Sequence, residues 1–157
     1  MPNATLRSIV KLDTLQVKAE RAATILDSTI SVPSGSAAGY EIVFARIPTG
    51  ARIHGTSRIF WDDLGTSTSP TLGLGFKSVQ GSITTNTTAM ATGLALATAQ
   101  PQGVIVFSDH VNSGRTVWEL LGLSADPGGF VDVIGTTASA STDATGDVTM
   151  SLAYSVD

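Results

Sequence analysis

Two alternating segments flank Pro48-Thr49-Gly50, and this pattern constrains the fold more than any other feature of the chain. After the turn, Ile53, Gly55, Ser57, Ile59 and Trp61 share one face, and Arg52, His54, Thr56 and Arg58 share the other. A period of two is that of a half-buried β-strand, because successive side chains of a strand point to opposite sides. Pro presets φ for an early turn position and Gly takes a positive φ at little cost, so the segment predicts a β-hairpin. A helix would need the apolar residues three and four apart.

The rest of the chain follows the same pattern from Tyr40 onward, with apolar runs cut by Gly, Pro and Ser/Thr clusters. Strands are predicted over Tyr40 to Ile47, Arg52 to Trp61, Thr71 to Val79, Gly103 to Ser108, Phe130 to Gly135 and Asp147 to Val156. The last is the clearest, since Val148, Met150, Leu152, Tyr154 and Val156 alternate with polar or small residues. Short helices are predicted around Ala89 to Ala97 and over Val117 to Leu121, where Gly122 supplies a helix C-terminal glycine. The expected fold is all-β: a single antiparallel β-sandwich, jelly-roll-like, over residues 40–157.

Residues 1–39 read as an extended N-terminal arm and linker. Arg7, Lys11, Lys18 and Arg21 are interleaved there with Asp13, Glu20 and Asp27, and the segment ends in a Ser-, Gly- and Ala-rich connector after Pro33. The alternative for this stretch is a first edge strand and a short helix of the same domain.

At 157 residues the chain suits one domain with a real core. Only 14 % of residues are charged, while Ser and Thr make up about a quarter, a surface suited to broad contacts with other protein. The net charge of -4 and nine scattered Lys and Arg residues oppose a nucleic-acid partner, which needs a concentrated basic stripe. Without cysteine the fold has neither disulfides nor thiolate metal sites. No stretch reaches the ~18 apolar residues of a membrane helix, and the N-terminus lacks a signal-peptide core, so the expected partner is not a membrane and synthesis is expected in a cytoplasm.

Few residues suggest chemistry. Asp109-His110 with Ser108 or Ser113 has the residue types of a nucleophile, base and orienter, but no G-x-S-x-G elbow surrounds any serine. Asp62-Asp63 and Asp143 to Asp147 offer oxygen ligands for calcium without the spacing of a calcium loop, and the Gly73/Gly75 pair lacks the rest of a phosphate loop. Trp61, Trp118, Phe60 and Tyr40 have the ring types of a sugar-stacking platform, although they lie mostly in apolar runs. The expectation is therefore no enzyme, no metal and no cofactor. Arg52, His54, Thr56 and Arg58 form a candidate protein-contact face.

The order of parts resembles the capsid decoration, or cement, proteins of tailed phages. The likeness rests on F-A-R-I-P-T-G-A-R-I-H-G, the Leu- and Ala-rich span Met90 to Ala99, V-W-E-L-L-G-L-S-A-D-P-G-G-F-V-D-V, and the closing G-D-V-T-M-S-L-A-Y-S-V-D. It implies a β-sandwich made in the bacterial host cytoplasm and seated on the outer surface of an icosahedral head, with the major capsid protein as partner. It also implies a homo-oligomer, a trimer in preference to a dimer. On this reading Arg7, Lys11, Lys18 and Arg21 pair with acidic capsid residues, while Leu6, Ile9, Val10 and Leu12 fill apolar grooves. The alternative is a tail-fibre or receptor-binding module that recognises carbohydrate.

Overall fold

The computed structural model describes residues 23–81 and 83–156. In chain order these form strands β1 (Thr24–Val32), β2 (Glu41–Pro48), β3 (Ala51–Ile53), β4 (Arg58–Trp61), β5 (Thr71–Ser78), β6 (Asn86–Ala95) and β7 (Gln100–Ile105). A 3-10 turn (His110–Asn112) and the single helical turn α1 (Val117–Leu120) precede β8 (Phe130–Ala138) and β9 (Gly146–Val156).

The strands make two antiparallel sheets. One has the order β1, β9, β4, β7, with β3 also paired to β9, and the other has the order β2, β8, β5, β6. If β3 and β4 are counted as one interrupted strand, the chain changes sheet at every connection except that from β5 to β6. The alternation of each strand places its apolar set between the sheets. Ile53, Ile59, Trp61, Val148, Met150 and Leu152 from the first sheet meet Ile42, Ile47, Leu72, Leu74, Phe76, Val131 and Val133 from the second in one core cluster. Each large aliphatic side chain buried there stabilises the fold by about 1.5–3 kcal/mol, so this β-sandwich holds without cysteine.

Five local expectations change. The predicted hairpin is instead a crossing between sheets: β2 pairs with β8 and β3 pairs with β9. Alternation sets which face of a strand is buried, and both strands bury theirs in the same core, so the pattern leaves the partner open. Thr49 is correspondingly inside, 1 % exposed. Its N–H donates to Gly129 O at 3.0 Å and its carbonyl accepts from Trp118 N–H at 3.1 Å. Its hydroxyl donates to Asp126 at 2.5 Å.

The predicted strand Arg52 to Trp61 is broken into β3 and β4 by a turn at His54–Ser57. Ile53 pairs with Tyr154 and Arg58 with Ser151, so four residues stand opposite the two between those partners. Two extra residues preserve parity, which is why Ile53, Ile59 and Trp61 all remain inward. The predicted helix around Ala89 to Ala97 is mostly β6. Pairing to β5 overrides the helix preference of Ala and Leu, and Met90 and Ala91 are buried by it.

Within the predicted arm and linker Thr24–Val32 is β1, paired with β9 through nine consecutive residues, as in the alternative of a first edge strand, and residues 1–22 lie outside the described residues. Leu26 and Ile30 pack against the core and Val32 is fully buried, a period-two pattern that Pro33 ends. The connector that follows is tied down rather than free: Gly35 N–H donates to Thr142 O at 2.8 Å and Gly39 N–H to Thr137 O at 2.7 Å. β7 also begins three residues before the predicted strand. The helix at Val117 forms as expected, and Gly122 takes φ 73° just beyond it.

Candidate protein-contact surfaces

Register fixes which side chains share the outer face of the first sheet. Asp27 lies beside Ser151, which lies beside Arg58, which lies beside Ile105. In the next row Thr29 stands beside Thr149 and Thr149 beside Phe60, and the two threonine hydroxyls are 2.8 Å apart. Ile25 and Ile105 stand 64 % and 48 % exposed among these hydroxyls. The face is thus broad, weakly charged and lined with groups that both donate and accept hydrogen bonds, with apolar side chains set among them.

The sequence-predicted contact row is only partly assembled on it. Arg52 sits half-buried, donates to the Gly114 carbonyl and bridges to Thr116, so it is engaged by its own chain. His54 Nε2 is 3.2 Å from Ser155 Oγ. Thr56 and Arg58 are exposed, and Arg58 reaches the Gly103 carbonyl at 3.3 Å. The turn at His54–Ser57 separates the four residues that an unbroken strand would have aligned. Leu6, Arg7, Ile9, Val10, Lys11, Leu12, Lys18 and Arg21 lie outside the described residues.

The residues considered for chemistry meet mostly backbone groups. His110 and Asp109 side chains are 96 % and 61 % exposed with 3.6 Å between His110 Nδ1 and Asp109 Oδ1, and Asp109 accepts from Val111 N–H at 3.0 Å. Ser108 Oγ accepts from Thr92 N–H at 3.3 Å. The acidic loops come together, but the carboxylates of Asp62, Asp63 and Asp143 meet backbone amides. Asp62 accepts from Asp147 N–H at 2.8 Å, and Asp143 accepts from Thr66 and Ser67 N–H at 2.6 Å each. Among the described residues no group of three or more His, Cys, Asp or Glu side chains is arranged to hold a metal ion.

The four aromatic residues are dispersed rather than gathered. Trp61 is a core residue whose indole N–H is shared between Ala95 O at 3.1 Å and Thr98 O at 2.9 Å. Phe60 lies on the outer face against Gly103, and the Tyr40 backbone meets Thr137, its carbonyl accepting from Thr137 N–H at 2.9 Å and its N–H donating to Thr137 Oγ1 at 3.0 Å. Trp118 instead lines a cleft that sequence reasoning missed, because its walls come from the sheet crossing and from distant loops.

That cleft, of about 360 Å³, is bounded by Pro48, Thr49, Arg52, Trp118, Glu119 and Asp126. Glu119 reaches back across the first turn of α1 to accept from Thr116 N–H at 2.8 Å and Thr116 Oγ1 at 2.7 Å. These bonds, with smaller help from the charges of Arg52 and Arg115, hold its carboxyl below the usual range. Phe130, 50 % exposed, and Val156, 49 % exposed, lie at the same end of the sandwich, opposite Pro48 and Ala51 in their ladders.

Two facing antiparallel sheets, nearly free of helix and with extensive hydroxyl-rich surface, define the class as an all-β sandwich. No protein-family model matches the sequence, and no curated protein matches it. Among solved structures the chain is similar in fold to a chain of the cyanophage Pam1 capsid asymmetric unit. The TM-score is 0.61 at 18 % identity, over 86 % of this chain and 85 % of that one.

Proposed function

We propose that this protein is a structural component of a tailed-phage virion, a decoration or cement protein that binds the outer surface of the head and stabilises contacts between major capsid subunits. The observation that carries the proposal is the fold likeness to a capsid chain along most of both chains. The interleaved strand order supports a jelly-roll reading of the sandwich, an architecture that capsid domains use. Its outer face suits such a role, since hydroxyls and scattered apolar groups make hydrogen-bonded contacts over wide areas with little charge to desolvate. Many copies on one shell make a modest single-site affinity effective.

Arg7, Lys11, Lys18 and Arg21 add electrostatic contacts to acidic capsid residues, with Leu6, Ile9, Val10 and Leu12 supplying apolar ones. Co-sedimentation of the full-length protein with phage heads tests the reading. Saturable binding that raises the temperature at which the shells open is the expected result. Binding should weaken with salt, because exposed charge pairs are screened over about 10 Å at 0.1 M ionic strength. Absence of binding to heads, together with a specific signal on a glycan array, would replace this reading with a receptor-binding module.

A further inference from the structure

Among the described residues the two sheets have four edges, β1 and β7 in one and β2 and β6 in the other, and three of them are blunted against pairing with another chain. β7 contains Pro101 and a Gly103 at φ 69°, and its register with β4 shifts. β6 carries Gly93 at φ 70° and two register shifts against β5. β2 shifts register between Val43 and Ala45, ends in Pro48, and carries Glu41 and Arg46. These are the devices by which natural sheets protect an open edge.

Of these β1 has only a single charge. Its nine residues hold one unshifted register with β9, without proline, glycine or a basic residue, and with Asp27 as its only charge. Ile25 is 64 % exposed, and Leu26 and Ile30, on the core side, are only half-buried along this open flank.

We infer that β1 is a self-association strand, which pairs antiparallel with β1 of a second copy across a twofold axis at Ser28 and joins the two first sheets into one. The strand's own pattern selects this occupant. Among antiparallel self-pairings, the one centred on Ser28 aligns all nine residues. It sets Leu26 opposite Ile30 of the second copy, which covers both half-buried side chains. It also sets Asp27 opposite Thr29, so the sole charge meets a hydroxyl rather than another Asp. A slip that brings Asp27 opposite itself costs a like-charge contact and loses part of the ladder. A nine-residue ladder is small beside the interface of a permanent dimer, so association depends on concentration.

Sedimentation equilibrium of the full-length protein, alongside Thr29→Asp, Thr29→Lys and the double variant Asp27→Lys/Thr29→Asp, tests the pairing. Thr29 is exposed, and thermal melts check that each variant folds. A wild-type dimer is expected. Thr29→Asp places two like-charge pairs across the axis and should weaken dimerisation about tenfold, whereas Thr29→Lys places two opposite-charge pairs there and should tighten it. The double variant again places two opposite-charge pairs across the axis and should bind more tightly than wild type, as Thr29→Lys does. A trimer, or a dimer whose constant ignores all three changes, overturns the inference. So does a protein that stays monomeric at concentrations on the order of millimolar. If such a monomer also has exchange-protected amides throughout β1, residues 1–22 of the same chain are the occupant instead.

Discussion

Asp62 and Asp147 bind each other in both directions: the Asp62 carboxylate accepts from Asp147 N–H at 2.8 Å, and Asp62 N–H donates to the Asp147 carbonyl at 3.0 Å. The pair joins the end of β4 to the start of β9 and sets the register of both strands. Next to it, Asp143 N–H donates to Leu64 O at 3.1 Å while the Asp143 carboxylate caps two amides of the facing loop. The acidic residues that suggest calcium in sequence thus act as hydrogen-bond acceptors for loop backbone.

Removing one of these acceptors should therefore cost stability without altering metal response. Asp143→Ala strands the amides of Thr66 and Ser67 and is expected to lower unfolding free energy by about 1–2 kcal/mol, as loss of a backbone cap does elsewhere. Denaturant titration reads this directly. Added calcium should leave the wild-type midpoint unchanged, and a saturable rise would show that the carboxylates are ligands after all.

Gly75 is held by the bulge in β6. A Cβ at Gly75 would overlap the Asn86 carbonyl and the backbone of Thr87, neither of which can rotate aside as a side chain could. Gly75→Ala should destabilise by about 1–3 kcal/mol, with amide exchange rising first in β6. Gly81→Ala is the control, since nothing lies within 4 Å of the added methyl. It should stay within about 0.5 kcal/mol of wild type. Equal effects at the two sites would mean that conformational entropy, and not the close approach, decides the cost.

The same bulge marks where sequence patterns stop being informative. Strands whose alternation runs unbroken, above all β9, are legible because one face must be buried and the other must not. β6 was not, since Ala89 to Ala97 is rich in helix formers and only pairing with β5 makes it extended. Pro48-Thr49-Gly50 is a turn in both readings, but whether it closes a hairpin or changes sheets depends on β8 and β9, far away in the chain. Arg52 and Arg58 keep the predicted parity, yet the turn at His54–Ser57 lets Gly114 and Thr116 engage Arg52. The cleft beside Trp118 left no local signal at all, because loops from both sheets build it.

At that cleft Glu119 closes the start of α1 through its two bonds from Thr116. Its carboxyl is held below the ordinary value of 4.5, chiefly because Thr116 donates two hydrogen bonds to the ionised form. A depressed folded-state value stabilises the fold above the ordinary range, and that contribution is lost as pH falls through the depressed value. Glu119→Gln retains an acceptor oxygen that does not titrate. Its stability deficit relative to wild type should accordingly be largest at neutral pH and shrink as the solution is acidified below the usual carboxylate range, measured by urea midpoints. A deficit that is constant with pH would mean that Thr116 binds both forms equally and that the cap contributes through geometry alone.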